Sequence, residues 1–455
     1  MSQARAVGWP LAHKAAYLVL LLGSLVAWGN LDWGQFHTVN VRWPREGEPV
    51  FASHFATWDG AHYLLLSEEG YAEGLPSCAF YPLLPMLIRA AGPLFGGNHV
   101  IAGLALSNVF SLAAWTLFYR LVSRRWGRLA AIWSLVFLIT FPGSLFFQFI
   151  YSESLFLLLL VLLWLGLEER RYGLAAVFAV LLPVSRGVGA FAVLPLAWHA
   201  FSVARPTWHQ KVCDRAVECW EGGGNATVGS AEQGTGKNVP IAENGARTPS
   251  VRVKAAGIRQ ESQRPSTGVR LEMAGDRQQP IENSGERRGQ TWLPWLLVGT
   301  PFVGWCVYLA LMWHWTENPF EGFEAQKYWR VHSISNLWNA PKFVFGFWSP
   351  TGWHAFRGSL LDRCAFLMVL YTLPVMWYHD KGMLVWTYWL AVLPAMSGTF
   401  TSFTRFASCA FPVFIALGVE LSRREWRWWR YGLLSVFVTL HIVLVWRFVN
   451  FRWAG

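Results

Sequence analysis

The feature that most constrains this chain is a series of long apolar stretches, separated by short clusters of charged residues. A helix needs about 20 mostly apolar residues to cross a bilayer. Stretches of that kind occupy 11–29, 99–120, 129–147, 151–167, 292–313, 359–378, 382–398, 404–421 and 430–449. In hydrocarbon a spanning segment must satisfy its own backbone polar groups, so runs of this length predict helices. Composition agrees: 54% of the residues are hydrophobic and 14% are charged, against roughly 25% charged in a soluble domain. The expected fold class is an all-α integral membrane protein, and the 29 Trp suit aromatic belts at its two interfaces.

The charges give an orientation. The net charge of +11 gathers in short runs between the apolar segments, which is the positive-inside signal rather than a nucleic-acid footprint. No nucleic-acid partner is expected. The runs "SRRWGR" (123–128), "EERR" (168–171), "HDK" (379–381) and "SRREWRWWR" (422–430) are expected to be cytoplasmic. The acidic 30–79 loop belongs on the outer side. The basic, then apolar start of the chain has no convincing cleavage site and reads as an uncleaved first span. The stretch "FYPLLPMLIRAAGPLFG" (80–96) reads as an interfacial or re-entrant helix. Residues 173–199 are apolar but interrupted by "PVSRG" at 183–187. The later spans keep their sides only if this segment returns to where it started, which predicts two half-helices turning at Pro183–Gly187. That makes about eleven membrane segments, with the C-terminus outside.

Three parts follow. Residues 1–204 form an N-terminal transmembrane part with a first outer loop at 30–80. Residues 291–455 form a C-terminal transmembrane part with an outer loop at 314–358. Between them, 205–290 are rich in Gly, Ser, Gln and Arg and poor in aromatics, so they are expected to form a disordered cytoplasmic insert. The Asn-Ala-Thr at 225–227 matches a glycosylation sequon on the wrong side of the membrane. The six Cys show no paired or metal-ligand spacing. No tight ligand cluster for a cofactor appears, and a divalent cation stays open.

Polar groups collect in the outer segments. In "WDGAHYLLLSEEGY" (58–71), Asp59 sits beside Trp58 and close to His62 and Tyr63. Asp59 could cap a helix that ends at Gly70, or serve as a general base at the membrane surface, and Gly60 would allow an unusual turn. Glu68, Glu69 and Glu73 read as a solvated face. "AFYPLLP" (79–85), with Tyr81, starts an interfacial helix or walls a groove. Tyr151 and Glu153 in "YSESLF" lie at the mouth of a span, where a carboxylate favours the helix dipole or lines the same outer cavity. Arg186 stands inside an apolar segment, so it is a functional candidate. It would grip a phosphate or pair with Glu153 or Asp59. Gln326 and Tyr328, in "AQKYWRVH", suit sugar faces or an ordinary amphipathic helix. Arg405 would snorkel to headgroups or make a second phosphate contact.

These stretches in this order, together with "SRGVG" (185–189) and "FTRFASCAFPV" (403–413), resemble the PIG-V family. That family contains the second mannosyltransferase of GPI-anchor synthesis and prokaryotic relatives. Gly60 departs conservatively from the Ala of many members, and the 205–290 insert is not part of the pattern. The resemblance implies a GT-C-type polytopic helical bundle in the cell inner membrane, or the endoplasmic reticulum membrane, with its active site on the outer or luminal face. It implies a sugar donor on a polyprenyl phosphate, commonly mannose, and a lipid-linked or protein acceptor. Asp59 is the implied catalytic base. Trp58, His62, Tyr63, Tyr81, Tyr151, Glu153, Arg186, Gln326, Tyr328 and Arg405 are the candidate substrate-binding residues. The rival classes are a transporter or flippase of lipid-linked sugars, which should show repeat symmetry and broken helices, and a membrane scaffold.

Overall fold

The computed structural model describes residues 8, 10–19, 43, 51–204, 292–329 and 332–455. The described residues belong to the unit formed by Met1–Arg205 and Gln290–Gly455. The insert expected at 205–290 lies outside them, as do residues 30–42 and 44–50 of the first outer loop, Arg330 and the second half of the expected first span.

The apolar runs fold as helices, and among the described residues there is no strand. Five helices are long and apolar enough to cross a membrane: His99–Trp126, Gly187–Ala204, Leu293–Thr316, Leu360–His379 and Arg427–Val449. Shorter apolar helices accompany them at Leu83–Phe95, Arg128–Thr140, Tyr172–Ser185 and Phe411–Leu421, and at Glu153–Glu168. Small residues let these helices approach closely, as packing in lipid requires. A Cβ on Gly304 would collide with the carbonyl of Val180, and one on Gly418 would collide with Ser134. Leu293–Thr316 thus lies against Tyr172–Ser185, and Phe411–Leu421 against Arg128–Thr140.

Three of the charged runs meet at one end of the bundle. Arg125 lies 2.5 Å from Glu168 and 2.7 Å from Asp380, and Arg124 lies 3.1 Å from Glu169. The Glu153–Glu168 helix has 16 residues and so spans about 24 Å at 1.5 Å per residue. Its first residue, Glu153, therefore stands at the far end from this charged ring.

The segment after residue 172 breaks where its sequence predicts. The helix Tyr172–Ser185 contains Pro183, and Arg186 is extended (φ −159°, ψ 142°) before a new turn starts at Gly187. The indole N–H of Trp389 donates to the Val188 carbonyl at 2.6 Å and pins the break. Trp389 is itself held in a π-helical turn, Tyr388–Val392, a local widening often found near functional sites. The second piece, Gly187–Ala204, is long enough to span by itself.

Candidate active site

Asp59 begins the helix Asp59–Glu68. The capping expectation is corrected here. Trp58 is the N-cap residue and no side chain caps the helix. Asp59 is already the first helical residue, and its carboxylate points to Arg405 instead, Arg405 Nη2 lying 2.5 Å from Asp59 Oδ2. At the other end the C-cap is Glu69, with Gly70 following at φ 93°. Arg89 donates to the carbonyls of Ser67 (2.7 Å) and Glu68 (2.9 Å) and finishes the last turn. The unusual backbone expected at Gly60 falls two residues earlier, on Trp58 (φ 55°, ψ −123°). A Cβ on Gly60 would meet the Ile150 carbonyl at 3.5 Å, ordinary contact, so Ala fits there.

A bulky residue at positive φ is a strained outlier, and such strain concentrates at functional sites. Of the seven non-glycine residues with positive φ among the described residues, four lie on the segments that deliver Asp59 and Arg405: Trp58, Thr399, Phe400 and Ser402. The surrounding packing enforces this shape. Gly143 sits so close to the Thr404 carbonyl that a Cβ would collide with it. Asp362 Oδ1 accepts from Thr404 N at 2.7 Å and from Thr404 Oγ1 at 2.5 Å. Together they fix the short helix Phe403–Ala407 that carries Arg405.

Four charged groups form a chain. Arg405 Nη2 meets Asp59, Arg405 Nε lies 2.5 Å from Glu153 Oε1, and Arg186 Nη1 lies 2.7 Å from the same oxygen. The side chain of Glu153 is fully buried, whereas that of Asp59 is 18% exposed. Aromatic faces flank both guanidinium groups: Tyr151 and Phe146 lie within 5.0 and 5.4 Å of Arg405, and Phe406 lies 4.8 Å from Arg186. Glu153 opens the helix Glu153–Glu168, as the helix-dipole reading has it, and also belongs to a buried ion cluster. The snorkelling reading of Arg405 is overturned, because its side chain is only 9% exposed. Of the two readings of Arg186, the pairing with Glu153 is present.

Asp59 and Arg405 open onto a narrow crevice, lined also by Trp58, Tyr151, Trp453 and Gly455. Ligand pockets usually measure about 300–1,000 Å³, and this crevice, about 10 Å³, holds no more than a water-sized group in this conformation. Trp58 and Trp453 meet edge to face at 5.2 Å. Their indole nitrogens are buried without a hydrogen-bond partner, an arrangement that costs about 1–3 kcal/mol per group and leaves two donors beside the crevice.

The other candidates stand around this centre. The Tyr63 hydroxyl donates to Ser152 Oγ at 2.9 Å. Burial, then the Glu153 and Asp59 carboxylates, raise its phenol above the ordinary range, which keeps it a donor. Tyr151 Oη lies 3.4 Å from the Thr57 carbonyl. His62 is buried, 2.7 Å from Ser77 Oγ, and stacks on Phe80. Tyr81 stacks on Tyr308 and touches Gly187, beside Arg186. Gln326 and Tyr328 are not brought to the ion cluster: Gln326 donates to the Ala79 carbonyl at 3.1 Å, and Tyr328 is exposed. His332, edge-on to Phe406 at 4.9 Å, approaches the cluster from the loop after them. Burial and the Arg186 and Arg405 charges hold its imidazole down at about 4. Among the described residues no group of three or more His, Cys, Asp or Glu is placed to hold a metal ion.

Asp362, Trp453 and Gly455 were missed by sequence reasoning. Asp362 had a usable signal, an ionisable residue inside an apolar span. The two tail residues had none.

With this geometry in hand, comparison with known proteins is informative. Residues 46–215 match the family model described as mannosyltransferase (PIG-V). Over that stretch the chain is similar to PIG-V mannosyltransferases. Asp59, Glu153 and Arg186 fall inside the PIG-V match, while Arg405 lies beyond it. No curated protein and no solved structure matches the chain. The match supports a glycosyltransferase, a class that takes a sugar donor and an acceptor, and the long apolar helices suit a membrane setting.

Proposed function

We propose that this protein transfers mannose from a polyprenyl-phosphate donor to a hydroxyl of a lipid-linked or protein acceptor, with inversion at the anomeric carbon. The observation that carries this reading is the position of Asp59. It is the partly exposed end of a buried chain of charges, at a crevice shared with Arg405 and two unpaired indole donors.

In the proposed reaction the acceptor oxygen attacks the anomeric carbon while the bond from that carbon to the phosphate oxygen breaks. Asp59 takes the acceptor proton. One base suffices, because the phosphate leaves without protonation; the logic is that of the base in inverting glycosidases. Arg405 stabilises the charge that develops on the departing phosphate. Arg186 holds Glu153, which holds Arg405. The indole N–H groups of Trp58 and Trp453 are suited to sugar hydroxyls. A GT-C-type bundle of about eleven membrane segments, with this crevice on the outer face of the inner membrane or the luminal face of the endoplasmic reticulum membrane, suits a donor whose phosphate lies at headgroup depth.

The test is direct. Purified protein in nanodiscs is incubated with radiolabelled polyprenyl-phosphate mannose and membrane-extracted acceptors. Label should move to an acceptor and free polyprenyl phosphate should accumulate. Absence of both products would contradict the reading.

A further inference from the structure

Arg405 is held by two carboxylates that differ in their freedom to let go. Glu153 is fully buried and also bound to Arg186. Its release would strand buried charges, a strongly unfavourable step. Asp59 is the partly exposed partner, on the crevice side. The cluster contains two guanidinium groups and two carboxylates, so its charges sum to zero. A phosphodiester entering the crevice adds one negative charge to a neutral cluster, and Arg405 is the cation that faces it.

We propose that Asp59 and the donor phosphate compete for Arg405, so that donor binding frees Asp59 to act as the base. This inference rests on the polyprenyl-phosphate reading above. In the empty site the Asp59 carboxylate is engaged by Arg405 at 2.5 Å. A phosphate that engages the guanidinium weakens that hold, and the carboxylate turns toward the acceptor hydroxyl. The charges then balance through the step. As the acceptor oxygen bonds to the anomeric carbon, its proton neutralises Asp59, while the phosphate passes from a singly charged diester to a doubly charged monoester. The negative charge lost at one partner of Arg405 appears on the other. The donor must therefore bind before the acceptor can be deprotonated.

The test measures affinity for farnesyl methyl phosphodiester, a probe with one fixed negative charge and no transferable sugar. Binding to nanodisc-embedded wild type, Asp59→Asn, Asp59→Ser and Glu68→Gln is followed by calorimetry. Removing the Asp59 charge should tighten binding by about tenfold, equivalent to about 1.4 kcal/mol, in both the Asn and the Ser variant. Glu68 has no contact with Arg405 and bonds the Trp43 indole instead, so Glu68→Gln should bind like wild type. Equal or weaker binding in both Asp59 variants would overturn the competition, as would an equal gain in Glu68→Gln, which would mean general surface charge. Binding to none of the four proteins would overturn the phosphate-donor reading itself.

Discussion

Arg405 Nη2 lies 2.5 Å from Asp59 Oδ2, joining a residue inside the PIG-V match to one well beyond it. The contact makes the C-terminal half of the chain part of the site. Glu153 shares the same arginine, with Arg405 Nε 2.5 Å from its Oε1.

Glu153→Gln should be the most damaging of the isosteric changes. It leaves Arg186 and Arg405 buried without their common carboxylate, a loss of about 3–5 kcal/mol. Thermal unfolding in detergent should show a clear drop in midpoint together with poor yield. A variant as stable as wild type would mean that the cluster is not held together through Glu153.

Arg186→Lys tests shape rather than charge. The planar guanidinium bonds Glu153 at 2.7 Å and lies over Phe406 at 4.8 Å, and a lysine cannot do both. Transfer should fall about tenfold or more, in line with a lost charged hydrogen bond of about 1.5–3 kcal/mol. Full turnover in the lysine variant would reduce Arg186 to a point charge.

Gly143→Ala should displace the segment that presents Arg405. The added methyl collides with the Thr404 carbonyl, and such overpacking costs about 1–3 kcal/mol. Transfer should fall more than stability, because an error of about 1 Å in a catalytic group costs about 10²-fold. Unchanged kinetics would contradict the tight fit.

Acid sensitivity has a defined source in His332. Its folded value is lowered to about 4 from 6.5, so the unfolded chain binds the proton more readily. Stability is therefore complete above about 6.5 and is lost as the pH falls toward 4. His354 is lowered to about 4 in the same way and adds to the same window. The acid limb of the unfolding midpoint should be shallower in His332→Asn than in wild type. An identical limb would remove His332 as a source.

The helical membrane architecture was legible in the sequence because bilayer-length apolar runs admit few other structures. Asp59, Glu153, Arg186 and Arg405 were legible one by one, since an ionisable residue at the edge of an apolar run is costly and therefore informative. Their pairing was not. Whether Arg186 meets Glu153 or a ligand depends on how distant helices pack, which spacing along the chain does not encode. The same limit explains Asp59. Local pattern made it a helix cap, and a tertiary contact with Arg405 took its carboxylate away. Trp453 and Gly455 gave no signal, because a residue near a chain end becomes part of a site only through where the last helix delivers it. Asp362 stood as an ionisable residue inside an apolar run, and its two bonds to Thr404 emerge only in three dimensions.

The central claim is that Asp59 is the base, and Asp59→Asn tests it most directly. Asn keeps the size of the side chain, and the helix does not depend on Asp59 as a cap. Arg405 keeps its bond to Glu153 in the variant, and the unfolding measurement separates any loss of stability from the loss of the base. Mannosyl transfer from labelled polyprenyl-phosphate mannose is measured for wild type and variant, with thermal unfolding in parallel. The account predicts a folded protein whose transfer rate falls by about 10²–10⁴-fold. A folded Asp59→Asn protein with near-wild-type transfer would contradict it.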